Sequence, residues 1–237
     1  MWKVIDNKKM SAAALMSLDS KLLLEMEEND APIIHFYDFL KPSFTFGVFL
    51  KPHELMNQDV YEKNFDFSIR PTGGGVLFHC WDFAFSCFVP KNHPGYLENV
   101  MDSYKYINDR IVFALDEYLV DVEGGFTLLP TTIAPMDECC KHFCFSKPTM
   151  YDIMFGEKKL AGAAQRRKKN GYLHQGSISL ILPEYRALSS LFSNDSKVLE
   201  AMQLYNYPLL GGGATAKDRL DAREQIKQNL VFSLNKI

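Results

Sequence analysis

The segment Ile69-Arg70-Pro71-Thr72-Gly73-Gly74-Gly75-Val76-Leu77-Phe78-His79 constrains the fold more than any other part of the chain. A short run ending in Phe67 and Ile69 leads into three consecutive glycines, and an apolar run from Val76 to Phe78 follows. That order predicts a strand, a glycine turn and a second strand. Lacking Cβ atoms, the glycines tolerate positive φ and let another group approach the backbone N–H donors. Arg70 adds a planar fork of donors suited to carboxylate or phosphate. No Gly-Lys-Ser/Thr follows and no helix opens after the glycines, so neither phosphate-binding fingerprint is present. By itself the segment reads as a tight hairpin with a capacity for acids or phosphates.

A second segment, Asp152 to Arg167, also has the form of a hairpin. One strand carries Ile153 and Phe155, Gly156-Glu157 turns, and the next strand runs through Lys159 into Leu160-Ala161-Gly162-Ala163-Ala164. Alternation puts Lys158 and Lys159 on opposite faces. A lysine buried at the head of a small-residue run must lose its proton or find an anion. A third segment follows, Gly171-Tyr172-Leu173-His174-Gln175-Gly176-Ser177-Ile178.

Taken in order, Arg-x-Thr-Gly-Gly-Gly from Arg70, Lys-Leu-Ala-Gly-x-Ala-Gln from Lys159 and His-Gln-Gly-Ser from His174 resemble the lipoate–protein ligase and octanoyltransferase family. The resemblance runs from the first helix to about Leu182. It implies Lys159 as the catalytic amine, with Arg70, Thr72, Gly73, Gly74, Gly75, Phe78, His79, Asp152, Gly162, Ala164, His174 and Gly176 around substrate or ATP. The family places an acid directly after the histidine of the glycine segment, where this chain has Cys80 and then, at a distance, Asp82.

Two chemistries fit. In the ligase reading, ATP with Mg2+ activates lipoate or octanoate as an acyl-adenylate, and the lysine of a lipoyl domain attacks it. In the transferase reading, no cofactor is needed. Cys144 takes octanoate from acyl carrier protein as a thioester and passes it to the same lysine, with Lys159 favouring the thiolate. Cys-Phe-x-x-Pro-Thr-x-Tyr-Asp from Cys144 resembles the nucleophile segment of cysteine-dependent octanoyltransferases, while a buried strand residue is the plain alternative. The intact glycine triplet weights the ligase ahead. Acceptors implied by the resemblance are lipoyl domains of 2-oxoacid dehydrogenases or the glycine cleavage H protein, with a separate accessory chain as a further partner. A non-catalytic lipoate-binding protein is the reading of another class. Biotin ligation fits less well, because those enzymes resemble Gly-Arg-Gly-Arg at the turn.

Composition sets the outer bounds. With 47% hydrophobic and 23% charged residues, the chain is near globular averages. A net charge of −3 argues against a general nucleic-acid binder. No apolar run reaches the ~20 residues that span a bilayer. Five cysteines without regular spacing suit a reducing compartment, so a cytoplasmic protein is expected. Cys139, Cys140, His142 and Cys144 fall within six residues, but a structural zinc site draws on two separated pairs, and no metal is expected. His35 and His53 read as satisfied or surface histidines.

Periodicity predicts a helix over 10–28 with Ser11 as N-cap, strands over 32–37 and 43–50, and a strand over 83–89 pairing back against 76–78. The resemblance makes the first two an early hairpin at the acyl pocket. A long helix is expected over 96–119, then a loop with room for one strand over 126–136. Helices are expected over 185–192 and 196–205, then a Gly211–Gly213 linker and a last helix burying Leu220, Ile226, Leu230 and Leu234. Strand runs broken by long helices define an α/β or α+β class, a mixed sheet flanked by helices. The resemblance makes this the class II synthetase-like catalytic domain shared by biotin and lipoate ligases. One domain over residues 1–237, without a C-terminal accessory domain, is expected.

Overall fold

A computed structural model describes residues 1–119, 124–183, 185–192 and 197–236. Its strands in chain order are β1 (Lys3–Asp6), β2 (Ile33–Phe36), β3 (Ser43–Phe46), β4 (Asp66–Ile69), β5 (Val76–His79) and β6 (Asp82–Pro90). They continue as β7 (Thr127–Leu128), β8 (Ile153–Phe155), β9 (Lys158–Lys168) and β10 (Gly171–Ser179). The helices are α1 (Ala12–Glu25), α2 (Gln58–Asn64), α3 (Val100–Asp116), α4 (Tyr185–Ser189), α5 (Val198–Tyr205) and α6 (Ala216–Asn235). A seven-stranded mixed sheet has the order β1-β2-β6-β10-β9-β8-β7, and a three-stranded sheet the order β4-β3-β5. This is the mixed sheet with flanking helices that the sequence predicts.

Strand β6 shows why the large sheet is central. Phe83, Phe85, Cys87 and Val89 alternate onto one face and pack beneath Ile107, Ile111 and Leu115 of α3 and Ile226 and Leu230 of α6. The opposite face is covered by α1, whose Leu15 and Met16 meet Tyr37, Phe39 and Ala84. Ser11 caps α1 by accepting from the Ala14 N–H, and Thr215 with Asp218 forms a full capping box on α6. A second core fills the small sheet: Phe44, Phe46 and Phe78 pack against Phe143, Leu188, Val198 and Met202.

Several expectations need correcting. Strands β4 and β5 do not form a hairpin, because β3 lies between them, parallel to β4 and antiparallel to β5. The glycine segment therefore crosses over the end of β3. Strand β6 does not pair with β5; its neighbours are β2 and β10. The early strands β2 and β3 lie in different sheets and make no hairpin. Strand β1, which pairs in parallel with β2, was not foreseen, since Lys3–Asp6 lies largely exposed at a sheet edge and carries no marked pattern. Leu220 is 57% exposed, and Ala222 takes its place in the buried stripe of α6. The expected start of a helix at 196 lies outside the described residues.

Candidate active site

A cleft of about 200 Å³ runs along the seam between the two sheets. Thr45, Arg70, Leu77 and His79 border it from the small sheet, and Lys159, Gly162, Ala163, Gln175 and Ser177 from the large one. The segment 141–147 closes a third side with His142, Phe143, Cys144 and Phe145.

Lys159 lies near the start of β9, opposite Met154 of β8 and beside the irregularity between Met154 and Ile153. The predicted hairpin is present, with Gly156 turning at φ 58°. Lys158 is exposed, while Lys159 is 4% exposed, so the alternation of the two lysines is as expected. The Lys159 ammonium pairs with Asp152 Oδ2 at 2.7 Å and donates to the Cys144 carbonyl at 2.8 Å. Asp152 Oδ2 also accepts from the Thr149 N–H and hydroxyl, at 2.6 and 2.9 Å. A lysine buried at such a site needs a counter-charge, and here the protein supplies it. Gly162 is required for this packing: a Cβ there would stand 2.7 Å from Lys159 Nζ.

Cys144 is the cysteine that borders the cleft; its N–H donates to the Val76 carbonyl, and Arg70 Nη2 stands 3.9 Å from its Sγ. The other four lie elsewhere. Cys139 is exposed, and burial pushes Cys140 up to about 11. Burial, reinforced by Asp82, pushes Cys80 up to about 12, and burial also raises Cys87. The cluster from Cys139 to Cys144 thus diverges into solvent, core and cleft instead of converging.

Arg70 borders the cleft but is bonded inward. It is 4% exposed, and its five N–H groups are directed at the protein. Nε and Nη2 donate to the Gly73 carbonyl, Nη2 also to Gly75 O at 2.7 Å, and Nη1 to Thr45 O and Oγ1. Arg70 clamps the glycine segment and has no free fork for a phosphate. From the other side, Arg166 Nη1 donates to the Pro71 carbonyl at 2.8 Å.

Of the remaining expected residues, Gly74, Gly75, His79, Ala164 and Gly176 border the cleft, and Gly162 borders it beside Lys159. His79 is held on both nitrogens, by Asp82 Oδ2 at 2.9 Å and Thr45 Oγ1 at 2.8 Å, and stacks on Phe39. Asp82, three residues on, thus supplies the carboxylate that holds His79. Thr72, Gly73, Phe78 and His174 do not border the cleft. Phe78 alternates away from Leu77 and His79 into the aromatic core, edge-on to Phe44. His174 faces α3, where Tyr104 covers it, and burial alone pushes its pKa down to about 3.

Gln175, one residue further, is the side chain that sequence reasoning missed. It donates to Asp19 Oδ2 of α1 at 2.7 Å and accepts from Thr72 Oγ1 at 2.7 Å. Asp19, fully buried, also accepts from Ser86 and pairs with His35 at 2.8 Å. This chain of bonds ties the first helix to the glycine segment. Its signal was a lone acid on the apolar face of α1. Alternation along β10 shows that only one of His174 and Gln175 can face the cleft, but not which.

Fold and site together describe a mixed α/β domain with a cleft at the seam of two sheets and a buried lysine–aspartate pair at its wall. Residues 11–204 match the lipoyl protein ligase A/B catalytic domain family, and the chain belongs to it. It is 28% identical over 204 residues to the octanoyltransferase LipM of Bacillus subtilis, an alignment covering 85% of this chain and 73% of that one. Against the octanoyltransferase LipM of Bacillus cereus, identity is 32% over 184 residues, with 76% of this chain and 65% of that one covered. Among solved structures, the bi-partite lipoate protein ligase of Thermoplasma acidophilum superposes with a TM-score of 0.70 at 18% identity, over 98% of this chain and 83% of that one. A lipoate-protein ligase A bound with ATP gives 0.69 at 20%, over 98% and 84%. These likenesses establish the fold. Among the described residues no helix is long and apolar enough to cross a membrane.

Proposed function

We propose that this protein is a cysteine-dependent octanoyltransferase that moves an octanoyl group from a carrier thioester through Cys144 to the lysine of a lipoyl domain. The observation that carries the reading is Cys144 itself, the cysteine bordering the cleft, next to Arg70 and tied through its carbonyl to Lys159. The curated relatives named octanoyltransferase support it. They reverse the weighting that the intact glycine triplet gives to the ligase. Arg70 adds to the reversal, because a guanidinium with every N–H committed inward is poorly suited to a triphosphate.

In the first half-reaction, the Cys144 thiolate adds to the thioester carbonyl. The tetrahedral intermediate collapses with loss of the carrier thiolate, which takes a proton from solvent. Negative charge on the carbonyl oxygen develops beside Lys159, whose ammonium has three donors and gives two of them to Asp152 and Cys144 O. In the second half-reaction, a neutral lysine amine of the acceptor adds to the new thioester. The amide forms, the Cys144 thiolate leaves, and the surplus ammonium proton passes to solvent.

The test uses octanoyl carrier protein, a lipoyl domain and the purified chain, with and without ATP. We expect the peptide containing Cys144 to gain one octanoyl mass without ATP, and Cys144→Ser to abolish both that adduct and transfer. ATP-dependent labelling of the lipoyl domain by the free acid, surviving Cys144→Ser, would replace this reading with the ligase.

A further inference from the structure

Behind the catalytic lysine stands a side chain that belongs to neither the cleft nor the three sequence motifs. Strand β8 pairs with β9 only as far as Ala161, so the peptide groups of β9 beyond that point lack a strand neighbour on this edge. At Ala163 the gap is filled from α3. The Tyr104 hydroxyl accepts from the Ala163 N–H at 2.9 Å and lies 3.0 Å from the Ala163 carbonyl. One phenol oxygen thus does for Ala163 what a paired strand would otherwise do. The same oxygen is 3.4 Å from Asp152 Oδ1, on the side of that carboxylate turned away from Thr149 and Lys159. Tyr104 is 8% exposed.

We propose that Tyr104 is a positioning residue for the Lys159 amine, acting through Asp152 and the edge of β9 without touching substrate. This rests on Lys159 as the working amine, common to both acyl-transfer chemistries, and not on the choice of acyl donor. A hydroxyl has one proton, which it gives either to Ala163 O or to Asp152 Oδ1. Burial, and then the Asp152 charge, hold the phenol well above its ordinary pKa, so that proton is retained throughout the working range. Asp152 is held at Oδ2 by Thr149 and Lys159, and the Tyr104 hydroxyl, 3.4 Å from Oδ1, holds its other oxygen whenever the proton turns from Ala163 O to the carboxylate. Ala163 borders the cleft directly, so its wall and its cation share one anchor. Without the phenol oxygen, Ala163 N–H and C=O lose their partner and Asp152 is free to turn, carrying Lys159 away from the Cys144 carbonyl.

The test is a double-mutant cycle of Tyr104→Phe and Asp152→Asn, read with whichever donor the wild-type protein uses, carrier thioester or free acid with ATP. A failure of the octanoyltransferase reading therefore leaves the cycle readable. Tyr104→Phe should lower the rate constant at saturating donor about tenfold with KM moved less than about twofold. In the Asp152→Asn background the same change should cost less than about twofold, because the carboxylate through which it acts is gone. Equal cost in both backgrounds, or a loss confined to KM, would overturn the proposal. Where Asp152→Asn does not fold, or turnover is absent, the Lys159 ammonium signal of 15N-lysine-labelled protein decides instead. It should shift or broaden in Tyr104→Phe, and an unchanged signal overturns the assignment.

Discussion

Gly162→Ala gives the sharpest test of how the site is built. An added Cβ would lie 2.6 Å from Asp152 Oδ1 and 2.7 Å from both Cε and Nζ of Lys159. Ordinary contact is about 3.5 Å, so roughly 0.8 Å of movement is needed. Asp152 is the stiffer neighbour, bonded to the Thr149 N–H and hydroxyl, so the lysine is the group that gives way. It then loses its hold on Asp152, on the Cys144 carbonyl, or on both. Misplacing a reacting group by about 1 Å can cost on the order of 10²-fold in rate. Overpacking costs about 1–3 kcal/mol, and each kcal/mol lowers Tm by about 2–4 °C for a chain of this size. Gly162 is not among the positive-φ glycines, so backbone strain does not enter the comparison. We therefore expect Gly162→Ala to fold with a modestly lowered Tm and to transfer acyl groups about 30- to 100-fold more slowly. Rates are measured by mass spectrometry of the acylated lipoyl domain, and folding by thermal circular dichroism. A folded variant with a near-wild-type rate would refute the claim that this glycine exists to seat the lysine.

Two further experiments test the charges. Lys159→Ala removes the cation from an Asp152 that is 1% exposed, so besides abolishing transfer it should cost about 3–5 kcal/mol in denaturant unfolding. Adding Asp152→Asn should recover stability but not activity, and full stability in the single mutant would contradict the buried pair. For His174, burial pushes the folded pKa down to about 3, against an ordinary 6.5. Between those values the unfolded chain binds a proton that the folded one excludes. Stability should therefore fall as pH drops from 6.5 towards 3, by up to about 1.4 kcal/mol per unit from this residue. His174→Gln should flatten that slope in urea titrations at pH 4 to 7, and an unchanged slope would remove His174 as its source.

Much of this site was legible because strand alternation and motif spacing are local. The hairpin around Gly156, the burial of Lys159 over Lys158 and the Ser11 cap of α1 follow from neighbours in sequence. What was not legible depends on which strand sits beside which. β4 and β5 flank the glycines as hairpin strands would, yet β3 lies between them, where Phe44 packs on Phe65 and Phe78 and Phe46 on Tyr61 and Phe67. The roles of Gln175 and Tyr104 were hidden for the same reason. Each is fixed by a partner on a distant element, Asp19 for one and Ala163 for the other.

That topology also changes what the glycines do. A triplet beside an arginine suggests an anion cradle, but the close approaches here are between backbones. A Cβ at Gly75 would stand 2.5 Å from the His142 carbonyl, and one at Gly47 would stand 2.1 Å from the Gly74 carbonyl. The first contact brings the segment bearing Cys144 onto the start of β5, where the Cys144 N–H finds the Val76 carbonyl at 3.0 Å. The second presses the glycine segment onto the end of β3, where Arg70 binds both Gly73 and Gly75 carbonyls. Side chains at these positions would separate the two layers, and with them the cysteine from the lysine whose ammonium holds its carbonyl. In this chain the glycines let the Cys144 segment lie against the start of β5, where the Lys159 ammonium reaches the Cys144 carbonyl.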